Sequence, residues 1–461
     1  MERDSAVGLI ARIIAWLRSL FGAAERAEEP GRGGEDRDDW ERNRTGRVEA
    51  QVQVIRHAFG GEVSIAMESP GDHSTVLFAY RSDHVIVPAD RVSELQDFLS
   101  GRGERFQDGG RIVGEPTPGL VLFSLPAGPS DGPNPDLRTL DEIHQALGTD
   151  IASPDHLLYL THTIGGLCPA TEPEAPGRDL PWPREARDAD RGAGVMINVV
   201  DTGWWKAAAQ DPDAPWLAYG VDGDAEQINP AMIQPYGGHG TFVAGVIRCQ
   251  APQAEIFIDG MLTKGGAIFE SELMRQLDIA VLSNDIPNIV SISGGTHTYG
   301  DRPLMTFEHL ARKHNLIDNP QAPLIVAAAG NDGADYPFWP AAFDWVVGVG
   351  SLDRDDKVSD YSNYGDWVDI YALGRDHVNA YPTGTYTCYE PPNVGEVRQF
   401  RNLARWSGTS FSTPLITGMI AGLMTDHGLT AHEAWTRLKA DGIVRTDPKI
   451  GKILSVDTPG A

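Results

Sequence analysis

The sequence predicts an α/β protein in which a parallel β-sheet is flanked by helices and preceded by a small α/β domain. From residue 194 onward, short apolar runs alternate with segments of helical periodicity. This alternation is typical of a buried parallel sheet whose strands are joined by crossover helices. Between residues 48 and 162, shorter strand-like runs surround two helical patterns, which indicates a separate, smaller unit.

Composition narrows the classes of function. The chain has 461 residues, of which 41% are hydrophobic and 22% charged, as expected for a soluble globular protein with two or three domains. Its formal net charge of -27 repels phosphate, so we expect no nucleic-acid partner. The 3 cysteines follow no metal-ligand spacing, which indicates reduced thiols and no cofactor.

The N-terminus, residues 1–23, predicts an amphipathic helix, because its large apolar residues share one face. Arg12 and Arg18 interrupt the apolar run, so it does not read as a secretory signal, and a cytoplasmic location is expected. Two interpretations stay open. The helix packs on its own protein, or it binds a regulatory partner or a membrane surface peripherally. Residues 24–47 are charged and poor in apolar residues, which predicts a flexible linker.

Residues 48–163 are expected to form the small α/β domain, and residues 164–194 a Pro-rich linker. Strands are predicted at Val63–Met67, Thr75–Tyr80, His84–Val87 and Leu120–Leu125, and helices at Asp90–Leu99 and Asp136–Leu147.

The large domain is expected over residues 195–445, followed by a C-terminal tail, 446–461. Its predicted strands are Val195–Val200, Glu255–Met261, Ile289–Ile292, Leu324–Ala329 and Trp345–Val349. Its predicted helices are Gly240–Arg248, Glu270–Leu282, Pro303–His314 and Thr413–His427. In such sheets the functional residues follow the carboxyl ends of the strands.

Three short motifs fall at such positions. Asp201 follows an apolar strand in Asp-Thr-Gly, His239 begins a helix in His-Gly-Thr, and Ser410 begins another in Gly-Thr-Ser. Each alone has a structural explanation, as a turn cap, a surface histidine or a helix N-cap. Together, in the chain order Asp, His, Ser, they match one known order of a serine-protease triad.

With these motifs the chain resembles the subtilisin-like serine proteases, the subtilases, over roughly residues 195 to 440. A Pro four residues after Ser410 and the run Ala327-Ala328-Ala329-Gly330-Asn331 add to the resemblance. It implies a subtilisin-like fold and a serine endopeptidase that acts on proteins or peptides. In it, Ser410 is the nucleophile, His239 the general base, Asp201 the residue that orients His239, and Asn331 an oxyanion donor.

The same resemblance implies the walls of the substrate cleft. One wall pairs with the substrate backbone as a strand, the opposite wall follows another strand, and Phe338 lies at the pocket base. The implied wall residues are Ser293, Gly294 and Gly295 on one side and Ala328, Ala329 and Gly330 on the other. Phe338 would shorten the pocket and favour small residues before the cut, or it is simply a core residue.

Some features depart from the family pattern. The stretch after Gly245 is too short for the family's common calcium loop, so we expect no calcium there, and Asp222-Gly223-Asp224 is interpreted as a solvated acidic loop. Residues 376–404, which contain Cys388, form an insertion to which the sequence assigns no role.

Several alternatives stay open. The small domain is a propeptide removed by autocleavage between about Tyr159 and Gly166, which makes the protein a zymogen, or it is a permanent regulatory domain. The whole chain is an active endopeptidase, or a silent or latent interaction module that a partner switches through the N-terminal helix. An aspartic protease would need a second Asp-Thr-Gly from a homodimer and would leave His239 and Ser410 unexplained. Sedolisin-type peptidases share Gly-Thr-Ser but use acidic residues in place of the histidine, so His239 argues against them.

Overall fold

The computed structural model describes residues 37–69, 71–101, 110–126, 134–160, 170–177, 183, 185, 190–284, 286–448 and 450–457. The helix predicted for residues 1–23 lies outside these ranges. No helix within them is both long enough and apolar enough to cross a membrane.

The described N-terminal part of the chain, up to residue 159, forms a small sheet with helices. Its elements are α1 (Arg37–Phe59), β1 (Val63–Met67), β2 (Val76–Pro88), α2 (Val92–Ser100), β3 (Arg111–Thr117), β4 (Leu120–Ser124), α3 (Pro135–Leu147) and β5 (Ser153–Tyr159). The strands lie in the order β3-β4-β2-β5, with β1 paired to β2, and all of these pairs are antiparallel. The two strand runs predicted between residues 75 and 87 are one strand, β2. Asp83, at a φ of 55°, and a shift in pairing register mark a bend within it.

The region from residue 196 to residue 455 contains a larger sheet and several short strands that lie outside it. Its strands are β6 (Met196–Asp201), β7 (Val221–Gly223), β8 (Glu255–Gly260), β9 (Ala267–Phe269), β10 (Ile289–Ile292), β11 (Leu324–Ala328), β12 (Val347–Leu352), β13 (Ile370–Leu373), β14 (His377–Ala380), β15 (Gly384–Thr387), β16 (Val397–Phe400), β17 (Leu403–Trp406), β18 (Ile443–Asp447) and β19 (Gly451–Ser455). Its helices are α4 (His239–Gln250), α5 (Glu270–Gln276, continued by a π-helical turn Leu277–Asn284), α6 (Met305–Lys313), α7 (Thr409–His427) and α8 (Ala431–Asp441).

The strands of the larger sheet lie in the order β18-β19-β13-β12-β11-β10-β6-β8-β7, and those from β13 to β7 are parallel. Every residue of β10 and β11 is buried, because helices cover both faces of a parallel sheet. Helices α4, α7 and α8 pack together, and α5 packs with α6. Gly418 allows the close crossing of α4 and α7, since a Cβ there would lie 2.7 Å from the Gln250 Cβ. The predicted α/β fold class is confirmed.

The predicted C-terminal tail is wrong for residues 446–455. Strands β18 and β19 form a hairpin whose second strand joins the edge of the larger sheet at Tyr371 and Ser455. Ser455 and Ile453 are buried there. The pairing is with a strand some 80 residues earlier, so local composition carries no sign of it.

The predicted linker 24–47 is wrong from residue 37 onward, because α1 begins there. One set of α1 side chains, including Val48 and Val52, packs into the core of the small domain. Ala50 and Val54 instead join the core of the large domain. The helix therefore owes its stability to two separate surfaces, and composition alone does not reveal either of them.

Strand β5 connects the two halves. It pairs antiparallel with β9 of the large domain, with Leu157 opposite Phe269 and Tyr159 opposite Ala267. The small sheet thus extends onto the large domain through β9. A strand of 3 residues has little stability alone and forms here because β5 supplies its partner.

Candidate active site

Asp201 and His239 are brought together by β6 and α4. Asp201 is the last residue of β6, His239 is the first residue of α4, and both are fully buried. The His239 Nδ1 lies 2.8 and 2.9 Å from the two Asp201 carboxylate oxygens. Gly240 permits this approach, since a Cβ there would lie 2.5 Å from the Gly203 carbonyl oxygen. The carboxylate thereby fixes the proton on Nδ1 and leaves Nε2 as the basic nitrogen.

The imidazole of His239 is held on its faces by aromatic rings. Trp406 contacts it edge-on and Phe411 at a tilt, each with ring centroids 5.4 Å away. The Nε2 atom is buried and makes no hydrogen bond with any described residue. The site therefore contains an oriented base whose reactive nitrogen is uncommitted.

Ser410 is the second residue of α7 and is fully buried. Its hydroxyl donates to the Ser293 carbonyl oxygen at 3.2 Å, and the Ser293 hydroxyl donates to the Ser410 carbonyl oxygen at 3.1 Å. This pair of contacts ties the start of α7 to the end of β10. The position also puts Ser410 at the positive end of a 19-residue helix.

Asn331 follows β11 and reaches the same helix start. Its side-chain oxygen accepts from the Thr409 N–H at 2.8 Å. Its amide nitrogen is buried and donates to no described residue. An uncommitted amide donor beside Ser410 is suited to stabilise negative charge on a tetrahedral intermediate.

The cleft wall predicted from Ser293, Gly294 and Gly295 pairs with the chain's own strand β5. Tyr159 N–H donates to the Gly295 carbonyl and Gly295 N–H donates to the Tyr159 carbonyl, both at 3.0 Å. On its other side, Leu160 N–H donates to the Gly266 carbonyl at 2.8 Å. Strand β5 thus lies along this predicted wall and pairs with it at Gly295, as an extended peptide pairs with a strand edge.

The other predicted wall residues lie around the end of β11. Ala328 ends that strand, Ala329 N–H donates to the Val349 carbonyl at 2.9 Å, and Gly330 N–H donates to the Thr409 hydroxyl at 3.2 Å. Phe338 is buried behind Gly295, where an added Cβ would lie 2.5 Å from its ring. All seven predicted cleft residues therefore lie near the two strand ends beside Ser410.

Glu226 is a site residue that sequence reasoning missed. Both of its carboxylate oxygens accept from the N–H of Gly238, the residue before His239, at 3.1 Å. Burial raises the pKa of this carboxyl to about 8, and the nearby Asp201 carboxylate adds to the rise, although the Gly238 N–H opposes it. Glu226 also lines a cavity of about 360 Å³ together with Val54 and His57 of α1. It lies in an irregular loop, so no periodic signal could have revealed it.

His297 and Asp332 form a second missed pair. The His297 Nε2 lies 2.9 Å from the Asp332 carboxylate, and its Nδ1 lies 2.9 Å from the Pro337 carbonyl. Both ring nitrogens thus face oxygen atoms, one from a carboxylate and one from a backbone carbonyl. The His297 ring packs 5.2 Å from that of Phe338. The only available signal was its nearness in sequence to the predicted motifs.

Metal ligation finds no support in the described residues, where no group of three or more His, Cys, Asp or Glu could hold a metal ion. In the acidic loop, the Asp222 carboxylate accepts from the Gly223 N–H at 2.8 Å and Asp224 accepts from the Gly260 N–H at 3.1 Å.

Residues 192–446 match the model of the Subtilase family, peptidase S8, which is more than half of the chain. The chain belongs to the subtilase family. It is accordingly a subtilisin-like serine endopeptidase, as the resemblance implied.

Individual subtilases agree with this assignment. Thermitase of Thermoactinomyces vulgaris is 30% identical over 258 residues, which cover 54% of this chain and 80% of thermitase. The intracellular serine protease of Paenibacillus polymyxa is 28% identical over 252 residues, or 50% of this chain and 67% of that protein. The structure of fervidolysin from Fervidobacterium pennivorans, a keratinolytic enzyme, aligns over 83% of this chain and 61% of its own with a TM-score of 0.50. At 16% identity it supports the fold alone.

Proposed function

We propose that this subtilase cleaves peptide bonds through an acyl-enzyme intermediate, with Asp201, His239 and Ser410 as its triad. The observation that carries the proposal is the buried His239, with Nδ1 bonded to Asp201 and Nε2 uncommitted. His239 would take the Ser410 proton during attack on the substrate carbonyl and pass it to the leaving amine. Asp201 would stabilise the imidazolium that forms between these two steps.

The negative charge of the intermediate would be met by Asn331. Its uncommitted amide nitrogen and the Ser410 backbone N–H are the two donors in this proposal, and the positive end of α7 adds to them. Phe338, behind Gly295, would limit the depth of the pocket and favour small side chains before the cut.

We propose further that the chain is made as a zymogen whose small domain blocks the cleft. The support is the direction of β5, which pairs antiparallel with Gly295. The chain direction of β5 therefore points from Gly295 toward Ser293. The Ser293 carbonyl accepts the hydrogen bond of the Ser410 hydroxyl. A cut between about Tyr159 and Gly166 follows from this arrangement.

The test compares intact mass and N-terminal sequence of purified wild type and Ser410→Ala. We expect wild type to be cut between residues 159 and 166 and the variant to stay intact, because only the serine hydroxyl can form the acyl-enzyme. If both stay intact, a fluorophosphonate probe decides, since it labels an activated serine only. Absence of labelling on Ser410 would overturn the proposed mechanism.

A further inference from the structure

Residues 170–177, predicted as part of a linker, contact β17 through an isolated antiparallel bridge. The Glu174 N–H donates to the Arg405 carbonyl at 2.9 Å, and the Arg405 N–H donates to the Glu174 carbonyl at 2.7 Å. The two side chains also form an ion pair. Antiparallel pairing of this kind is how sheet edges bind extended peptides.

Glu172 anchors this strand in the insertion 376–404. Its side chain is buried, and one carboxylate oxygen accepts from the Tyr386 hydroxyl at 2.9 Å and from the Tyr389 N–H at 2.8 Å. Burial raises the pKa of this carboxyl, and the two donors partly offset that rise. A buried carboxyl is tolerated only where such donors meet it, so the insertion contains a pocket shaped for this side chain.

The surroundings of the strand are basic, in contrast to the chain as a whole. Apart from Glu172 and Glu174 of the segment itself, the charged residues that line one small cavity here are four arginines and two acids. They are Arg47, Arg375, Arg398, Arg405, Asp376 and Glu390. Arg398 also donates to the Pro173 carbonyl at 2.9 Å. Arg375 and Arg398 also pair with acids of the surrounding chain, yet arginines outnumber acids in this lining. In a chain of net charge -27, such a local surplus of cations is complementary to an acidic peptide.

The same strand touches the surroundings of the triad. The Trp406 indole N–H donates to the Thr171 carbonyl at 2.6 Å, and the Trp406 ring packs on that of His239. The Ser407 N–H, three residues before Ser410, donates to the Thr171 hydroxyl at 3.3 Å.

We propose that the insertion 376–404, together with β17, is a binding site for an extended acidic peptide, and that segment 170–177 of the same chain is its occupant. The contacts described above join residues 171–174 to residues 386–407, so a cut upstream of residue 170 leaves them intact. The segment therefore keeps its contact with Trp406, which packs on His239, after processing. That consequence for activity rests on the proposed function, whereas the binding itself does not.

The first experiment measures amide hydrogen exchange in the full chain carrying Ser410→Ala. Adding Glu172→Ala removes the acceptor of two buried donors, so we expect exchange in residues 170–177 and 403–406 to become at least about 10-fold faster. Glu174→Ala is the matched control, because its carboxylate is 35% exposed, and we expect less than about 3-fold. Equal rates in the two variants would overturn the proposal.

A variant on the receptor side guards against general unfolding. If Glu172→Ala also speeds exchange in β11, Tyr386→Phe replaces it, since this change removes one donor and keeps the ring. The proposal requires faster exchange in both segments with β11 unchanged. Wild-type rates in residues 170–177 of Tyr386→Phe would then refute it.

The second experiment adds the acetylated peptide of residues 170–177 to the full Ser410→Ala, Glu172→Ala chain and measures binding by calorimetry. We expect binding to be at least about 10-fold weaker when alanine replaces the peptide's glutamate at position 172. Binding should also be at least about 10-fold weaker to the chain that keeps Glu172, because its tethered segment competes at high effective concentration. Equal affinities or no binding would reject the site. Because Ser410 is absent throughout, failure of the proposed mechanism could not produce either result.

Discussion

The central sheet around β11 and the surface that joins the two domains are both buried, but the junction adds buried charged groups to its apolar contacts. Strand β11 is apolar throughout, and the large core around it contains aromatic and aliphatic residues. At the domain junction, by contrast, Asp155, His156 and Glu270 are all buried. Asp155 accepts from the Arg81 guanidinium and from the N–H and hydroxyl of Ser271, each at 2.8 Å.

This difference indicates how separable each region is. An apolar core loses its stabilisation when its parts come apart, because apolar area returns to water. A junction of satisfied charges gains much less from burial, since its groups regain hydration on separation. His156 illustrates the point: its Nδ1 faces Glu270 at 3.0 Å and its Nε2 accepts from the Tyr299 N–H at 3.1 Å, so its polar atoms are matched within the interface.

The largest effect is expected in the apolar core. Phe307 of α6 is fully buried and stacks on Phe343 with ring centroids 6.3 Å apart. We expect Phe307→Ala to lower the free energy of unfolding by about 3–5 kcal/mol, because it removes apolar contacts and leaves a cavity. Denaturant unfolding of the Ser410→Ala chain measures it. Phe257→Ala is the matched control, since Phe257 is 42% exposed, and should change stability by less than about 1 kcal/mol.

A smaller effect is expected at the junction. Arg81→Ala would leave the buried Asp155 carboxylate without its cation and would also remove the 2.5 Å contact with Glu272. We expect a loss of about 2–3 kcal/mol, below that of a fully buried pair because Arg81 and Glu272 are partly exposed. The small domain should separate at a lower denaturant concentration. Its cleavage by an added protease measures this separation.

The control for this prediction is Arg437→Ala, which breaks an exposed pair with Asp441 within one helix. It should change stability by less than about 0.5 kcal/mol. If Arg81→Ala had no greater effect than this control, the junction would not depend on its buried charges and the comparison would fail.

Much of the large domain could be predicted from the sequence because its signals are local. Apolar runs such as Leu324–Ala328 are long enough to mark buried strands, and the motifs around Asp201, His239 and Ser410 are each contiguous. In the structure, Asp201 contacts His239, and Ser410 at the start of α7 is hydrogen-bonded to Ser293.

The unpredicted features depend on distant partners. The strand β9 exists because β5 pairs with it, and residues 171–174 are held in place because β17 and the insertion bind them. A Pro-rich, charged sequence is typical of a linker, so the buried position of Glu172 could not be read from composition. Glu226 contacts Gly238 across a loop, and the residues next to either one in the sequence do not indicate that contact.

Glu226 differs from Asp155 at the junction, because it is an acid near the triad with no cation among its described partners. Its pKa of about 8 means that the folded protein holds a proton that the unfolded chain, with an ordinary pKa of 4.5, releases. Stability from this group is therefore fully present below about pH 4.5 and is lost as the pH rises toward about 8. The expected loss is the smallest of the three, about 1–2 kcal/mol, since solvent reaches the half-buried carboxyl.

Glu226→Gln tests this, because glutamine resembles the protonated acid and does not titrate. In the Ser410→Ala chain, the free energy of unfolding should fall more steeply between pH 5 and 8 with glutamate than with glutamine. Identical slopes would mean that Glu226 is ionised without penalty in the folded state. Glu226 would then resemble the charged groups at the junction. The difference between the large domain and the junction would then rest on apolar packing alone.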